Sequence, residues 1–435
     1  MTLPPELPTA APSTVPSTIP ATAPVALPIA LPAAVPSSLP IAIPIALPVA
    51  LPIALPVALP VALPVALPVA LPVALSVALP AAPAATLLST PPAAAVTAQP
   101  AAAANLQVQW LTLQVATCNL LNLAAPGHVY YPNQDPYDAT EAERKTAWLA
   151  AQIGRLNADV LGVQEVWDES ALRAAAHRSG LRYTTVLAPG AEAGASGTPR
   201  VGLVTRLPLL ELESTTAFEP ADHVLVPELG LQTRFERPVL RARLQTKHGQ
   251  TLQVLVVHLK SKRPKFLQDA QGAVIENRDD PAVVVRATLR SLLMRAAEAC
   301  ALRRLVVDIT QRTREPLLLL GDMNDGPHAV TSQMIAANQA VGYDKGTRDT
   351  ALFHAWDVQT EPALKRDVAY SHVHQGWPEL LDQIWVSEEF VATSQRAIGD
   401  VRRVDVFNDH LQESRERWRS DHGFVRALLR LRSAS

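Results

Sequence analysis

A proline repeat restricts the first part of the chain more than any other feature. From Pro20 to Pro80 a proline occupies every fourth position, with one interruption at Ser76. Within a helix each proline ring removes a backbone donor and clashes with the preceding turn, which costs about 3 kcal/mol or more. Residues that precede proline favour extended or polyproline II geometry. We therefore expect the repeat to be extended, disordered and without an activity of its own.

The repeat is also apolar, but its prolines argue against a membrane-spanning helix. A helix crosses a bilayer with about 20 apolar residues. Lipid offers no hydrogen-bond partner to the carbonyl groups that the prolines leave unpaired. We therefore expect no stable membrane insertion.

The expected location is the cytoplasm, and export is the alternative. A secretory signal begins with a positively charged region, but no Lys or Arg precedes Arg144. The Ala-rich stretches at 93–95 and 101–104 offer the small residues of a cleavage site. Those stretches keep export open.

The composition changes after residue 104. Residues 1–104 hold 24 of the 39 prolines but a single charged residue, Glu6. Residues 105–435 have the charged fraction of about one quarter that is typical of soluble globular domains, and they suffice for a core. We predict a low-complexity Val-Ala-Leu-Pro repeat over residues 1–104 and one globular domain over residues 105–435.

Charge and cysteine content exclude some classes of protein. A net charge of −2 excludes a globally basic nucleic-acid-binding protein, although a local basic patch stays open. Residues 237–304 form such a patch, with 14 Lys and Arg against 5 Asp and Glu. Two cysteines, Cys118 and Cys300, exclude a disulfide framework and a zinc site made of cysteines alone.

Hydrophobic periodicity in residues 105–435 predicts a mixture of helices and strands. Alternation at Leu111, Leu113 and Val115 predicts a strand. The segment 140–143 has the pattern of a capping box and opens a predicted helix that ends near residue 156. Further helices are predicted at 169–177, at 282–310 and after residue 328, and further strands at 160–165, 182–187, 201–205, 239–245, 251–259, 317–321, 383–387, 401–407 and 423–431. The break at 247–249 predicts a hairpin. This pattern favours sheets covered by helices.

Several of the most apolar strands end in, or are flanked by, a polar residue of a catalytic type. These residues are Asn119, Glu165, His258, Asp322 with Asn324, and Asp382 directly before a strand. Catalytic groups tend to lie where strands deliver them to one rim of a scaffold. A hydrophobic core alone does not require such a pattern, so it points to a site.

Six motifs around these residues follow one another in a family-specific order. They are Ala-Thr-Cys-Asn119-Leu, Leu-Gly-Val-Gln-Glu165-Val, Val-Val-His258-Leu-Lys-Ser-Lys, Leu-Leu-Gly-Asp322-Met-Asn324-Asp, Leu-Asp382-Gln-Ile-Trp-Val-Ser and Ser-Asp421-His422-Gly. In this order the chain resembles the endonuclease/exonuclease/phosphatase superfamily, with its deoxyribonuclease I-like fold. The resemblance implies an α/β (α+β) class: a four-layer αββα sandwich of two mostly antiparallel sheets flanked by helices.

The resemblance also implies roles for individual residues around a divalent metal, Mg²⁺ or Mn²⁺. Hard carboxylate oxygens suit either ion. By resemblance Glu165 is the principal metal ligand, and Asn119 and Asp421 lie around the metal or its waters. Asp382 would orient His422, which serves as a general base or polarises the phosphate.

Further roles follow from the same resemblance. Asp322 would orient or deprotonate the attacking water, so the choice of base between Asp322 and His422 stays open. Asn324 and His258 would hydrogen-bond the phosphoryl oxygens. Substrate-binding candidates are Arg237, Lys260 and Lys262. Asp325 is expected to support its loop, and His372 and His374, which alternation places on one face, stay outside the predicted catalytic set.

Departures from other branches of the superfamily narrow the substrate. The segment Gln164-Glu165-Val-Trp167 lacks the lysine of the abasic-site repair branch, and the motifs typical of inositol phosphatases are missing. The segments 258–262 and 322–327 look like those of bacterial nuclease-type members. We therefore predict a metal-dependent hydrolase that cleaves phosphodiester bonds of DNA or RNA, an endonuclease that acts as a monomer.

Two alternatives remain open at this stage. One is a phosphatase or phospholipid phosphodiesterase of the same superfamily, because the fold alone does not decide the substrate. The other is a non-catalytic scaffold that binds partners through the proline-rich arm.

Overall fold

Two six-stranded sheets lie against each other in a computed structural model of the chain. The structure describes residues 109–192, 197–313, 315–338, 345–362, 368–413 and 415–432. The predicted disordered repeat over residues 1–104 lies outside the described residues. No helix in the described ranges is both long enough and apolar enough to span a bilayer.

The sheets are built from most of the described strands and are flanked by the longer helices. In chain order the strands are β1 (Trp110–Leu123), β2 (Val160–Val166), β3 (Thr185–Leu187), β4 (Arg200–Thr205), β5 (Leu209–Ala217), β6 (Val224–Val226), β7 (Gly230–Gln232), β8 (Arg234–Gln245), β9 (Thr251–His258), β10 (Leu317–Asp322), β11 (Leu352–His354), β12 (His372–His374), β13 (Trp377–Glu379), β14 (Asp382–Ser387), β15 (Gly399–Phe407) and β16 (Phe424–Arg432). The helices are α1 (Ala139–Leu156), α2 (Glu169–Arg178), α3 (Pro281–Thr313), α4 (Val330–Ala336), α5 (Lys345–Arg348) and α6 (Ala355–Val358).

Each sheet is organised around one parallel pair of strands. The first sheet has the order β15-β16-β1-β2-β4-β3, and the second has the order β11-β14-β10-β9-β8-β5. Strands β1 and β2 run parallel in the first sheet, as do β9 and β10 in the second. All other neighbouring strands in the two six-stranded sheets are antiparallel. The predicted α/β class with two mostly antiparallel sheets is therefore confirmed.

Alternating side chains of the central strands build the layers. On β9, Val254 and Val256 enter the core between the sheets, whereas Leu255 and Val257 face the helices outside, as the two-residue period of a strand requires. Helices α3 and α4 cover that outer face, and α1 and α2 cover the outer face of the first sheet. A side chain at Gly162 would meet Leu320 of the facing sheet at 3.1 Å, so this glycine lets the two sheets approach.

Most predicted elements are confirmed, but the capping box of α1 was misplaced. The N-cap is Asp138, whose carboxylate accepts a hydrogen bond from the backbone of Glu141, while the Glu141 side chain bonds back to the Asp138 N–H. Thr140 lies inside the first turn. Both Asp138 and Thr140 have a glutamate three residues later, so the spacing fits two starts, and the structure uses the earlier one.

Short strands and one exposed strand are absent from the sequence predictions. Strand β5 is the edge strand next to β8, and most of its side chains are exposed. Strands β12 and β13 form a separate hairpin. An edge strand buries little apolar surface, so hydrophobic alternation does not reveal it.

Candidate active site

The central strands of both sheets end at one rim of the sandwich, where the predicted residues come together. His258 of β9 is in register with Asp322 of β10, and Asp322 is in register with Asp382 of β14. Asn119 of β1 reaches across from the other sheet and donates a hydrogen bond from Nδ2 to Asp322 Oδ2 at 3.0 Å. The register of three adjacent strands thus aligns three titratable side chains, and one amide links them to the facing sheet.

A cleft of about 930 Å³ opens over this rim. Predicted residues that line it are Glu165, Arg237, His258, Lys260, Lys262, Asp322, Asn324, Asp421 and His422. Asn119 and Asp382 are fully buried beneath it. The structure therefore assembles all eleven predicted site residues in or directly under one cleft.

Glu165 is held in place by contacts from β1. Its Oε1 accepts a hydrogen bond from Asn119 Nδ2 at 3.2 Å, and its Oε2 accepts one from the backbone N–H of Asn122 at 3.0 Å. The register between β1 and β2 shifts after Asn119. Glu165, Leu121 and Asn122 have left-handed φ angles of 61°, 50° and 51°. Such conformations cost energy and cluster at functional sites, so this bulge is part of how the chain builds the site.

His422 and Asp382 form a buried imidazole–carboxylate pair. Nδ1 of His422 lies 2.7 Å from Asp382 Oδ2, and Nε2 lies 3.9 Å from Asp322 Oδ2. Burial by itself would lower the pKa of His422, but the negative charges of Asp382, Asp322 and Asp421 hold that pKa well above its usual value. The pair fixes the imidazole so that Nε2 faces Asp322 and the cleft.

Asp322 lies at the centre of the hydrogen-bond network. Besides Asn119, it accepts the backbone N–H of Asn324 at 2.8 Å, and His258 Nε2 lies 3.4 Å from its Oδ2. Burial and the nearby charge of Asp382 raise the pKa of Asp322, although His422 opposes the shift. Burial, Arg237 and His422 lower the pKa of His258 well below its usual value.

Two sets of groups at the site have the chemistry of metal ligands. One potential ligand atom from each of Asp322, Asp382 and His422 lies within 4.8 Å of the others. The His422–Asp382 hydrogen bond uses Nδ1 and Oδ2, so it leaves His422 Nε2 and Asp382 Oδ1 as the atoms that could face a metal there. The second set consists of Glu165, which lines the cleft, and Asp421, whose Oδ1 is buried without a hydrogen-bond partner among the described residues. A buried carboxylate oxygen needs a partner, and both Asp421 Oδ1 and Asp382 Oδ1 lack one among the described residues, so each set offers an oxygen to a hard cation.

Asn119 acts in the structure as a link between carboxylates. Its amide nitrogen bonds Glu165 and Asp322, and its oxygen accepts the backbone N–H of Leu121 at 3.1 Å. The Asn119 oxygen has a second lone pair, which the bond from Leu121 leaves free.

The predicted cationic residues form one wall of the cleft. Nη1 of Arg237 donates to Leu259 O at 3.2 Å, and Lys260 is buried, which lowers the pKa of its ammonium group. Lys262 is paired with Glu379 and also lies 3.5 Å from Asp325 Oδ1. A phosphate at Lys262 would therefore compete with two carboxylates.

Asp325 supports the loop after β10. Its Oδ2 accepts hydrogen bonds from Arg295 at 2.7 Å and from Thr331 at 2.5 Å. Its carbonyl oxygen accepts one from Gln383. These are the contacts expected of a residue that holds the loop in shape.

Several cleft residues were absent from the sequence-based set. Tyr131, Arg263, His372, His374, Arg415 and Arg417 line the cleft together with the predicted residues. Alternation around Val373 is the sequence signal that marks His372 and His374. The loop residues carry no such signal, because their position depends on tertiary contacts such as the Arg417 guanidinium over the Tyr137 ring at 4.8 Å.

Helix-flanked sheets with a carboxylate and imidazole site at one rim have the deoxyribonuclease I-like architecture of phosphate ester hydrolases. A family model described as "Endonuclease/Exonuclease/phosphatase family" matches residues 116–422. The chain belongs to the endonuclease/exonuclease/phosphatase family. No curated protein sequence matches it.

Solved structures of several different proteins are similar to the chain. The human Nocturnin catalytic domain is 18% identical, with a TM-score of 0.44, 74% of this chain covered and 97% of that one. A mannosyl-6-phosphatase of Bacteroides thetaiotaomicron is 13% identical, with a TM-score of 0.44 and coverage of 73% and 99%. D. rerio TDP2 complexed with a single-strand DNA product is 15% identical, with a TM-score of 0.41 and coverage of 73% and 98%.

Proposed function

We propose that this chain is a divalent-metal-dependent phosphodiesterase that cleaves nucleic acid, and that it acts as an endonuclease. The observation that carries the proposal is the joined network of Glu165, Asn119, Asp322, Asp382 and His422, which spans both sheets under one cleft. A cationic wall faces the same cleft. A phosphodiester is an anion, so its cleavage requires charge stabilisation, a positioned water and help to the leaving oxygen.

The metal side of the site is assigned to Glu165 and Asp421, with Asn119 holding Glu165 in position. Mg²⁺ or Mn²⁺ bound there would neutralise charge on the phosphoryl oxygens. Mg²⁺ keeps several waters and takes one or two protein carboxylates. Glu165 and the unpartnered Asp421 oxygen match that demand.

The proton-handling side is assigned to Asp322 and His422. Asp322 Oδ2 lies near Nε2 of both His258 and His422, so a water bound at Asp322 would lie among groups that orient it. Asp382 holds Nδ1 of His422 and leaves Nε2 for the phosphate. His258 and Asn324 line the cleft beside them and are assigned to the phosphoryl oxygens.

The nucleic-acid preference rests on the cationic residues that line the cleft. Arg237, Lys260, Lys262 and Arg263 line the cleft together with the aromatic ring of Tyr131. Basic groups interleaved with aromatic rings suit a polymer of phosphates and bases. A small phosphate monoester needs no such extended surface.

A panel of substrates tests the proposal. Circular DNA, linear DNA, abasic DNA, RNA, inositol phosphates and sphingomyelin are each incubated with the full chain, in Mg²⁺, in Mn²⁺ and in chelator. We expect metal-dependent cleavage of DNA or RNA, including circular DNA. Hydrolysis of only the inositol phosphates or sphingomyelin would favour the phosphatase or phospholipid phosphodiesterase instead. No hydrolysis of any substrate would favour the scaffold.

A further inference from the structure

A short hairpin, β12–β13, is connected by hydrogen bonds to the backbone at the proposed catalytic residues. Ser371 precedes it, and the Ser371 hydroxyl accepts the backbone N–H of Asp382 at 2.9 Å, while its carbonyl accepts the N–H of Gly423 at 2.6 Å. His372 forms an isolated backbone bridge with His422. The hairpin therefore has a fixed position relative to the His422–Asp382 pair.

One face of this hairpin carries three rings, and two of them, those of His372 and His374, line the cleft. His374 pairs with Trp377 and His372 pairs with Glu379 across the two strands, so these four side chains lie on the same face. His372, His374 and Glu379 line the cleft. Lys262 pairs with Glu379 from the cationic wall, which connects that wall to the hairpin.

The rings follow one another away from the catalytic centre. The ring centroids of His422 and His372 are 4.8 Å apart, and those of His372 and His374 are 6.4 Å apart with planes inclined by 16°. Trp377 is the cross-strand partner of His374, and 76% of its surface is exposed. Exposing an indole ring to water is unfavourable, and this one lies beside His374 on the hairpin face that carries both imidazole rings.

A row of planar rings beside a cationic cleft matches the chemistry of a single-stranded nucleic acid. Bases stack on aromatic side chains whatever their sequence, and basic groups follow the phosphates. Arg263 and Arg415 also line this cleft. A base-paired duplex keeps its bases stacked on each other, so it cannot use the face of Trp377 without local opening.

We propose that this face of the hairpin binds the nucleotides next to the scissile phosphate in a single-stranded segment, and that Trp377 stacks on a base. The inference rests on the proposed nuclease function. His374 and Trp377 are binding residues in this assignment, and His372 is a positioning residue between them and the catalytic His422.

The test measures a preference in the full chain. The preference is the ratio of kcat/KM for a short single-stranded oligonucleotide to kcat/KM for bis(4-nitrophenyl) phosphate, a small diester that cannot reach the hairpin tip. We expect Trp377→Ala to lower the ratio by about 5- to 150-fold, the value of one base–aromatic stack. Trp377→Phe should restore part of it, because a flat ring remains.

A matched control separates stacking from a general effect of losing a tryptophan. Trp110 is 42% exposed at the start of β1, the opposite end of that strand from Asn119. Trp110→Ala should leave the ratio unchanged. An unchanged ratio in Trp377→Ala, or an equal fall in Trp110→Ala, overturns the hairpin assignment while the nuclease function stands. If the wild type hydrolyses the small diester but no nucleic acid, the proposed function itself fails, and the hairpin assignment fails with it.

Discussion

Asn119 is the residue through which the two sheets share one site. Its amide nitrogen lies within hydrogen-bond distance of Glu165 on its own sheet and of Asp322 on the other. The two carboxylates have different tasks in the proposed mechanism, one at the metal and one at the water. A short amide between them keeps their spacing fixed, and preorganised spacing of this kind is what catalysis requires.

The His422–Asp382 pair supports a first prediction about activity. We expect His422→Ala to reduce kcat by about 10²- to 10⁴-fold, the usual contribution of a general acid–base or polarising imidazole. Asp382→Asn should act through His422, so the double variant should be no slower than His422→Ala alone. Steady-state kinetics of the two single variants and the double variant provide the test.

An NMR titration adds a readout that a purely structural role of Asp382 would not change. The carboxylate of Asp382 helps to hold the pKa of His422 well above its usual value, so Asp382→Asn should lower it. His248→Ala is the control and should leave the pKa of His422 unchanged, because His248 is exposed in the turn between β8 and β9. In the kinetic experiment, the pairing would be contradicted if the fold losses in kcat of His422→Ala and Asp382→Asn multiplied in the double variant.

Glu165 supports a prediction about metal binding that does not depend on turnover. A ligand that binds only the folded state stabilises it by a free energy that grows with the ratio of ligand concentration to Kd. The Tm rises as a result. We expect Mn²⁺ to raise the Tm of the wild type and to have much less effect on Glu165→Gln. The exposed Glu192→Gln is the control. An equal Mn²⁺ shift in Glu165→Gln would remove Glu165 from the metal site.

At the scale of secondary-structure elements, hydrophobic pattern predicted the central strands well and the edges poorly. Strand β10 is fully buried and β9 is buried except at its first residue, so their apolar runs are clear in the sequence. Strand β5 is mostly exposed and strands β12 and β13 have three residues each. Their positions depend on partners that lie far away in sequence, and no local pattern specifies those partners.

The same distinction applies to the site. Residues at the ends of buried strands, such as Glu165 and Asp322, could be predicted because a strand end is visible in the sequence. Tyr131 and Arg417 reach the cleft from loops. Their contribution depends on how those loops pack, for example on Arg417 bonding the Tyr130 hydroxyl at 3.2 Å.

Helix α3 supports a prediction about stability and pH through Glu298. This carboxylate is fully buried and accepts the backbone N–H groups of Glu236 and Lys260 at 2.8 Å and 2.6 Å. Burial raises its pKa to about 7. The two hydrogen bonds hold the backbone of Glu236 in β8 and of Lys260 just after β9, next to the cationic wall. At high pH the carboxylate ionises and becomes a buried charge, which is unfavourable.

The direction of the pH effect follows from proton binding. The raised pKa means that the folded state binds more protons at Glu298 than the unfolded state between about pH 4.5 and 7. Its contribution to stability is therefore complete below that range and is lost as the pH rises through about 7, by on the order of 3 kcal/mol. Urea unfolding across this range should show a shallower decline for Glu298→Gln than for the wild type. A decline as steep as that of the wild type would contradict the assignment, and Glu192→Gln is again the control.

On the scale of the whole molecule, the described residues form a two-sheet domain whose parallel strand pairs end at the same rim. Each sheet contributes one such pair, so neither sheet alone holds both the metal side and the proton-handling side. The site exists only when the sheets are packed, and Gly162 at their interface permits the close approach. Activity and cooperative unfolding of the domain should therefore be lost together.

The central claim is that this cleft cuts nucleic acid internally with the help of a divalent metal. The most direct measurement is the conversion of supercoiled circular DNA by the full chain, in Mg²⁺ and in chelator, beside His422→Ala. We predict open-circular and linear products in Mg²⁺, none in chelator, and a rate about 10²- to 10⁴-fold lower for His422→Ala. If circular DNA stays intact, circular RNA is tested in the same way, and the claim is contradicted if both stay intact under conditions in which the chain hydrolyses a small phosphate ester.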